Sequence, residues 1–325
     1  MSSDYYPISW LNTASLIVPG IVICALLLDR ILGEPSRWHP LAGFGNLANW
    51  LEKQLNHAQH PLINKLMGLG AWLLLLSPFI AFSLYLNRLE FSWIADCLLL
   101  YFAIGARSLK QHAMRIYHGL SSKDLAKARL AVSMIVSRDT QNLDENEIAT
   151  ATVESVLENG NDAIFGAIFW FLIFGGTGAL AFRLANTLDA MWGYRTPRFI
   201  NFGWAAARLD DLLNLIPARL TALSYALCGH SRQALYCWRK QASNWYSPNA
   251  GPVMSAGAGA LNVQLGGAAP YQGEVKIRPL LGVGESVAPR HILLAIRLVK
   301  RSVILWCLLI TLIYLATGYI GGSHA

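Results

Sequence analysis

Residues 67–86 read MGLGAWLLLLSPFIAFSLYL, a stretch without a single charged side chain. About 20 apolar residues in a helix are enough to cross the ~30 Å hydrocarbon core of a bilayer. Ser77 and Pro78 interrupt the stretch but add no charge. The stretch therefore predicts a membrane-spanning helix.

Four further apolar runs lie on either side of it, at 15–28, 91–104, 163–182 and 302–320. A soluble protein can bury one such run in its core, but five in a chain of 325 residues indicate an integral membrane protein. Charged residues make up 14% of the chain, against about 25% in soluble domains. No stretch alternates apolar and polar residues for long enough to predict a β-sheet. We predict an all-α, polytopic fold with four to five transmembrane helices and a large cytoplasmic region of helices and loops.

The predicted organisation is one integral membrane domain over residues 1–325. Residues 1–106 would form the N-terminal transmembrane helices, 107–301 the polar region with the candidate site, and 302–325 a C-terminal transmembrane helix. Lys and Arg concentrate in the cytoplasmic segments of membrane proteins, and the polar region is rich in both. We therefore expect a multi-pass protein of the cell inner membrane whose active region faces the cytoplasm.

The run at 163–182 conflicts with this orientation if it crosses the membrane alone. Fourteen Lys and Arg residues between 183 and 301 would then lie outside, against the positive-inside rule. We predict that 163–182 is a buried or re-entrant segment, which its Gly-Gly-Thr-Gly sequence would permit. The alternative is a further crossing at 212–227, which would place Arg219 inside the bilayer at a cost.

The net charge of +7 comes with Lys and Arg residues that lie mostly in two polar stretches, without the Lys-rich run that would suggest nucleic-acid binding. We therefore expect no nucleic-acid partner. The five cysteines show no CxxC or Cys/His ligand spacing. Neither a metal site nor a disulfide framework is therefore indicated by the cysteines.

An acidic stripe lies on a predicted helix of the polar region. Asp144, with Glu147 three residues later, forms a capping-box pattern that begins a helix running to about Glu158. Glu147, Glu154 and Glu158 then share one face, and Asp162 continues it. Three acids that point into one site could hold a divalent cation through their oxygens. A solvated helix face is the alternative that the spacing leaves open.

A second polar cluster lies between Arg183 and Arg219. Its arginines are suited to the bidentate binding of phosphate or carboxylate groups. Ion pairs that fix helix packing are an equally good interpretation of the spacing. The members of the cluster are Asn186, Asp189, Arg195, Arg198, Arg208, Asp210, Asp211 and Arg219.

A glycine-rich stretch runs from Ser255 to Gly267. It is a weak candidate for a nucleotide loop, because it lacks a Gly-Lys-Ser/Thr ending and a preceding strand. Close packing of helices through small residues explains it equally well. Arg278-Pro279 and Gly282-Val283-Gly284 are expected to close a loop around the same region.

Several short motifs follow one another along most of the chain, from about residue 25 to 285. They are LDRILGEP at 28–35, SRDT at 137–140, TVESVLEN at 152–159, NTLDAM at 186–191, AARLDD at 206–211, PARLT at 217–221, SPNAG at 247–251 and RPLLG at 278–282. Taken in this order, they resemble the adenosylcobinamide-phosphate synthase family of cobalamin biosynthesis. The chain departs from the family pattern at Glu34, at Gly160–Ala163 and at Tyr246.

The resemblance implies an ATP-dependent amide ligase. Such an enzyme joins adenosylcobyric acid to (R)-1-aminopropan-2-ol phosphate, or to a similar amino alcohol phosphate, and uses ATP and Mg²⁺. The implied partners are the corrinoid substrate, the amino alcohol phosphate, membrane lipid and other corrinoid-assembly enzymes.

The resemblance also implies roles for the polar residues. The implied catalytic residues are Glu154, Glu158, Asp189, Asp210 and Asp211. The implied metal ligands are Glu154, Glu158 and Asp162. The implied substrate- and phosphate-binding residues are Arg138, Asp139, Asn159, Asn186, Arg195, Arg208, Arg219, Ser247 and Asn249.

Two other functions remain open at this point. One is a non-enzymatic inner-membrane regulatory or sensor protein, related to those that regulate β-lactamase induction. Such a sensor would need no metal-binding acids, so the acidic central block favours the ligase. The other is a transporter, which Asp96 within an apolar run and the glycines near Gly175 would indicate.

Overall fold

The structure is a computed structural model that describes residues 16–34, 40–271 and 273–322. The first residue of the run at 15–28 and Pro35 of the first motif lie outside the described residues.

Most described residues belong to α-helices, which we number in chain order. The first seven are α1 Ile17–Leu32, α2 Pro40–Leu55, α3 Pro61–Leu86, α4 Ser92–Ala103, α5 Ala106–Ser121, α6 Leu125–Ser133 and α7 Glu145–Gly160. The next six are α8 Gly166–Trp192, α9 Trp204–Leu213, α10 Leu215–Cys228, α11 Ser231–Gln241, α12 Ala250–Leu261 and α13 Arg290–Gly322. A π-helical turn, Asn161–Phe165, joins α7 to α8.

The described residues form two compact units. The first unit comprises the described residues up to Ile104, residues 167–210 and the chain from Ile304 onward, and the second comprises Gly105–Gly166 and Asp211–Val303. The organisation predicted from the sequence, one integral membrane domain over residues 1–325, stays a prediction. The sequence did not predict that 167–210 would join the N-terminal helices in one unit.

Among the residues that the structure describes, four helical segments are long and apolar enough to cross a membrane. They are Pro61–Leu86, Ser92–Ser121, Glu145–Trp192 and Arg290–Thr317. Each overlaps one of the predicted apolar runs, and together they confirm the prediction of a mostly helical, polytopic membrane protein. Large apolar side chains such as Leu74, Phe82 and Leu312 are exposed along these helices, as contact with lipid requires.

Helix α8 is broken at Phe174 and Gly175, whose backbone angles are not helical. Gly175 has φ 63° and ψ −156°, a combination that is essentially restricted to glycine. The chain folds back at this point. The evidence is the close approach of Gly178 to Trp170: a Cβ on Gly178 would collide with the Trp170 carbonyl oxygen. In an unbroken helix these two residues would be about 12 Å apart. The re-entrant position of 163–182 in a bilayer stays a prediction.

Asp96 of α4 holds the start of the second half of α8. Its Oδ1 accepts a hydrogen bond from the Gly176 amide at 2.7 Å. Asp96 is fully buried, and the amide lies at the positive end of the second half-helix, where a carboxylate is favoured. The carboxylate thus satisfies one of the amides that the break would otherwise leave without a partner.

Helix α7 lies at the centre of the second unit. The predicted capping box is confirmed: Asp144 accepts from the Glu147 amide and Glu147 accepts from the Asp144 amide, both at 2.8 Å. Helix α12 packs against α7 and is buried from Ala250 to Ala260. A Cβ on Gly257 would press on the Leu157 side chain at 2.7 Å. The glycines of this helix therefore allow close packing, which was the second interpretation of the glycine-rich stretch.

A small sheet corrects the expectation that no β-strand would be found. Strand β1, Val263–Tyr271, pairs antiparallel with β2, Glu274–Gly282, and parallel with the short β3, Glu285–Ser286. A bulge between Leu265 and Gly267 shifts the register. Because a bulge interrupts the two-residue alternation of side chains, the sequence carries no continuous strand pattern here.

Candidate functional site

A buried carboxylate joins three segments of the second unit. Glu154 of α7 is 3% exposed, and its two oxygens accept hydrogen bonds from two guanidinium groups. Arg278 of β2 donates to Oε2 at 2.9 Å and to Oε1 at 3.0 Å. Arg138, in the loop before α7, donates to Oε2 through its Nη2. We call Glu154, Arg138, Arg278 and Gly266 the Glu154 hub.

Gly266 contributes the backbone part of the hub. Its amide donates to Glu154 Oε1 at 2.9 Å. The residue sits in the β1 bulge with φ +85°, in the left-handed region that glycine occupies at no steric cost. A side chain there would also collide with the carbonyl of Pro279. In a regular strand the Gly266 amide would point at the neighbouring strand. The bulge turns it towards the Glu154 carboxylate instead.

The two arginines of the hub are used differently. Four of the five N–H groups of Arg278 are engaged, since it also donates to the Gly267 carbonyl at 3.3 Å and to the Gly266 carbonyl at 3.1 Å. Its guanidinium lies 5.6 Å from the centre of the Trp245 ring. Arg138 gives one hydrogen bond, to Glu154, within the part of the chain that the structure describes.

The electrostatics of the hub keep Arg278 charged. Burial lowers the pKa of the Arg278 guanidinium, but the charge and hydrogen bonds of Glu154, with a smaller contribution from Tyr271, outweigh burial and raise that pKa above its ordinary value. Two cations and one anion leave the hub with one net positive charge. Charges held so far from water are favourable only when their hydrogen-bonding groups are well satisfied.

A cleft of about 240 Å³ opens beside the hub. Its cationic lining consists of Arg138 and Arg278, and Asp144 and Glu147 from the first turn of α7 also line it. Its other lining residues are Leu143, Asn146, Thr150, Gln264, Leu265, Gly266, Ala268, Ala269, Pro270, Leu280, Ser286 and Val287. The cleft thus presents both positive and negative groups to a small ligand.

The predicted metal ligands do not form a metal site around Glu154. Both of its oxygens are bound by guanidinium groups, which compete directly with a cation for the same lone pairs. Among the described residues, no group of three or more His, Cys, Asp and Glu side chains could hold a metal ion. The residues present therefore do not fit a resident Mg²⁺ on Glu154, Glu158 and Asp162.

The π-helical turn carries a second buried polar network. The Asn161 amide donates to Asp162 Oδ1 at 2.9 Å and to Asn214 Oδ1 at 2.7 Å. Its own oxygen accepts from the Thr221 hydroxyl at 2.9 Å. The network orients Asp162, which is partly exposed. π-helical turns of this kind occur frequently at functional sites.

Asn159 and Glu158 are the predicted site residues next to the π-helical turn, and Gly160 beside them is where the chain departs from the family pattern. Asn159 donates to the Ser155 carbonyl at 2.9 Å and to its hydroxyl at 3.1 Å, and Glu158 next to it is partly exposed. A Cβ on Gly160 would collide with the hydroxyl of Tyr225, which donates to the Leu157 carbonyl at 2.9 Å. Gly160 therefore leaves room for a buried tyrosine.

Four more predicted residues come together where α10 meets the turn before α12. Arg219 donates to Asn249 Oδ1 at 2.7 Å and to the Pro248 carbonyl at 3.1 Å. Asn249 in turn donates to the Asp211 carbonyl at 2.7 Å. The Ser247 hydroxyl accepts from the amides of Asn249 and Ala250 at 3.3 and 3.1 Å. These bonds hold a turn of the backbone in place.

Asp139 lies apart from the hub carboxylate, although its neighbour Arg138 belongs to the hub. Its amide donates to the Pro270 carbonyl at 3.0 Å and its Oδ2 accepts from the Gly273 amide at 2.8 Å. Asp139 therefore ties the loop before α7 to the hairpin of β1 and β2.

The remaining candidates belong to the first unit. Asn186 of α8 donates to Asp210 Oδ1 at 3.3 Å, so these two are brought together. Asp189 is partly exposed, one turn before the end of α8, and its carbonyl accepts from the Gly193 amide at 2.7 Å. Arg195 and Arg208 have exposed side chains. Arg198, named in the same cluster, instead forms a bidentate pair with buried Glu52 at 3.0 and 2.6 Å.

Comparison with known proteins gives this arrangement a family. The model of the CobD/Cbib protein family matches residues 22–299. The chain belongs to the CobD/Cbib family.

Individual family members match closely. The chain is 54% identical over 306 residues to the cobalamin biosynthesis protein CobD of Chromobacterium violaceum, covering 93% of this chain and 97% of that protein. It is 54% identical over 290 residues to the protein of that name from Stutzerimonas stutzeri, covering 89% and 95%. It is 38% identical over 273 residues to the one from Mycobacterium tuberculosis, covering 82% and 86%. No solved structure gives a significant match.

Within this CobD/Cbib chain, sequence reasoning missed the partners that complete each network. Arg278 and Gly266 were seen only as parts of a loop and a glycine-rich stretch. Asn161 and Thr221 were noted only as members of quoted segments, and Asn214 was not considered. The signal that was available for Arg278 was its position in a quoted motif, RPLLG at 278–282. No local pattern links Arg278 to Glu154, 124 residues earlier.

Proposed function

We propose that this membrane protein of a cobalamin biosynthesis family is an ATP-dependent amide ligase. It would join adenosylcobyric acid to (R)-1-aminopropan-2-ol phosphate or a similar amino alcohol phosphate. The observation that carries the proposal is the cleft beside the Glu154 hub, which offers guanidinium groups to an anion. The active region is proposed to face the cytoplasm from the inner membrane.

The chemistry of amide formation needs such a cleft. A free carboxylate and an amine do not condense at neutral pH, so ATP would activate the carboxylate as an acyl phosphate. Every reactant then carries phosphate or carboxylate groups, and guanidinium groups stabilise the charge that develops on them. Mg²⁺ would arrive bound to ATP as part of that substrate.

The size of the cleft restricts what it can hold. Pockets for drug-sized ligands measure roughly 300–1,000 Å³, and this cleft measures about 240 Å³. It suits a group the size of an amino alcohol phosphate or the terminal phosphate of a nucleotide. The corrinoid substrate is far larger and would bind elsewhere. We propose Glu158, Asp189, Asp210 and Asp211 as the acids that handle protons or the nucleotide.

The test is product formation by the purified protein in detergent. Adenosylcobyric acid, aminopropanol phosphate and Mg·ATP should give the amide product, detected by its mass. Asp189→Asn should lower the rate by about a hundredfold or more, the scale of general acid–base catalysis. Glu90→Gln, which removes an exposed acid from the same unit, should leave the rate unchanged. Absence of product with several amino alcohol phosphates in folded protein would refute the ligase.

A transporter is the second candidate, because Asp96 and the break in α8 resemble the discontinuous helices at transporter binding sites. Asp96 is fully buried, and its Oδ2 has no hydrogen-bond partner among the described residues. Uptake of a corrinoid into proteoliposomes without ATP, lost in Asp96→Asn, would favour this function over the ligase.

A further inference from the structure

We propose that the cleft is the subsite for the phosphate end of a small substrate, with Arg138 as its binding residue and Glu154 as the residue that positions Arg138. Glu154 thereby has a different role from the metal ligand that its spacing suggested. The inference rests on the proposed function and deepens it, because it identifies which substrate enters this cleft. Both the amino alcohol phosphate and the nucleotide carry a phosphate that such a cleft could bind, and we assign the cleft to the amino alcohol phosphate.

The distribution of hydrogen bonds assigns the binding role to Arg138. Arg278 uses four of its five donors on Glu154 and on the β1 backbone. Arg138 uses one donor within the described residues, and its side chain is only 9% exposed beside the cleft. A buried guanidinium with spare donors that lines a cleft is suited to the paired hydrogen bonds of a phosphate.

Glu154 determines where that guanidinium points. A long arginine side chain has many rotamers, and fixing it costs conformational entropy. Glu154 is itself fixed by Arg278 and by the Gly266 amide, so it presents a rigid acceptor to Arg138. The net charge of the hub remains +1, and a phosphate in the cleft would compensate it.

The opposite lining of the cleft explains why an amino alcohol phosphate fits better than a nucleotide. Asp144 and Glu147 line the cleft with two acids at the start of α7. An amino alcohol phosphate carries an ammonium group a few bonds away from its phosphate, so the two ends match the two kinds of lining. A nucleotide has no such cation, and its terminal phosphates would approach these acids unfavourably.

Calorimetry on the full chain in detergent tests the subsite without any turnover. The probes are inorganic phosphate, aminopropanol phosphate, aminopropanol and ATP. Aminopropanol phosphate should bind more tightly than inorganic phosphate, and aminopropanol about tenfold more weakly or worse, as expected when a charge-assisted contact is lost. Arg138→Gln should weaken both phosphate probes by about tenfold or more for the same reason.

The matched control is Arg232→Gln, which removes an equal charge from α11 at an exposed position away from the cleft lining. Its effect should stay within about twofold, because exposed charges at a distance are screened. Equal losses in Arg138→Gln and Arg232→Gln would overturn the subsite. If only ATP binding depends on Arg138, the phosphate is the nucleotide's and the assignment to the amino alcohol phosphate is overturned.

Glu154→Gln separates positioning from charge. Removing the carboxylate raises the charge of the hub from +1 to +2, so charge alone predicts tighter phosphate binding. Positioning predicts binding weaker by about tenfold or more, because Arg138 loses its fixed acceptor. Mn²⁺ binding in the presence of ATP, measured by electron paramagnetic resonance, should not change, whereas a metal ligand at Glu154 would make it fall.

A second variant guards against misfolding of Glu154→Gln. Arg138→Lys keeps the charge but loses the planar pair of donors, and it should weaken aminopropanol phosphate binding by about tenfold with the fold intact. Unchanged binding in Arg138→Lys would overturn the paired hydrogen bonding. Ligase activity retained in Arg138→Gln would reject the subsite and leave the ligase. Phosphate binding that depends on Arg138 in a protein without ligase activity would do the reverse.

Discussion

At the scale of single residues, two separate requirements make position 266 a glycine: its backbone conformation and the lack of space for a side chain. Its backbone lies at φ +85° and a Cβ would collide with the Pro279 carbonyl. Gly273, in the same hairpin, has φ +81° but open space where a Cβ would lie. The two positions separate the cost of the backbone conformation from the cost of the collision.

We predict that Gly266→Ala destabilises the second unit by about 3 kcal/mol or more, since strain and a backbone collision combine. Gly273→Ala should cost about 1 kcal/mol from conformation alone. Thermal unfolding of both variants in detergent measures the difference. Equal unfolding temperatures would contradict the collision at Gly266. Phosphate binding should fall only in Gly266→Ala, because only that amide contacts Glu154.

At the scale of elements, α8 shows how a helix end can be made inside an apolar run. The break at Phe174 and Gly175 leaves amides without helical partners, and Asp96 supplies an acceptor for Gly176. The glycines in the run at 163–182 were the sequence signal for a re-entrant segment. Asp96, the buried acceptor for the Gly176 amide, lies 80 residues earlier in the chain. No local pattern in either segment predicts this contact.

We predict that Gly175→Ala greatly lowers the yield of folded protein, because a side chain is incompatible with the backbone angles of the break. Gly70→Ala in α3 is the control, since a Cβ there meets nothing within 4 Å and Ala favours a helix over Gly. Size-exclusion chromatography and thermal unfolding in detergent measure both. A normally folded Gly175→Ala protein would contradict the break.

The same contrast explains how much of the fold and site the sequence could predict. Apolar runs and the Asp144–Glu147 capping box are local signals, and the structure has both where they were expected. Arg138 and Glu154 were both predicted as site residues, but their contact was not, and the contributions of Arg278 and Gly266 depend on the hairpin of β1 and β2. That hairpin was missed because its bulge interrupts the alternation from which a strand is recognised.

At the scale of the whole molecule, the distribution of Lys and Arg predicts the orientation of the protein in the membrane. The described residues include four candidate membrane helices, and the positive-inside rule predicts the side of the membrane on which the second unit lies. Lys276 of β2 is exposed in the second unit, and Arg88 is exposed between α3 and α4. The rule places these two residues on opposite sides.

We predict that a cysteine at Lys276, in a chain whose native cysteines have been replaced, reacts with an impermeant maleimide only in inverted inner-membrane vesicles. A cysteine at Arg88 should react only in right-side-out vesicles, because its linker is predicted to lie outside. Mass spectrometry of the labelled protein measures both. Labelling of Lys276→Cys from outside would reverse the proposed orientation and remove the site from cytoplasmic ATP.

The Glu154 hub also limits how the proposed ligase can evolve. The carboxylate proposed to position Arg138 is the same one that fastens β1 and β2 to α7, so a substitution there is expected to change phosphate binding and folding together. Adaptation to a different amino alcohol would therefore proceed through the cleft residues outside the hub, such as Leu143, Thr150 and Leu280. Descendants with new preferences should differ at these positions while inheriting the hub unaltered.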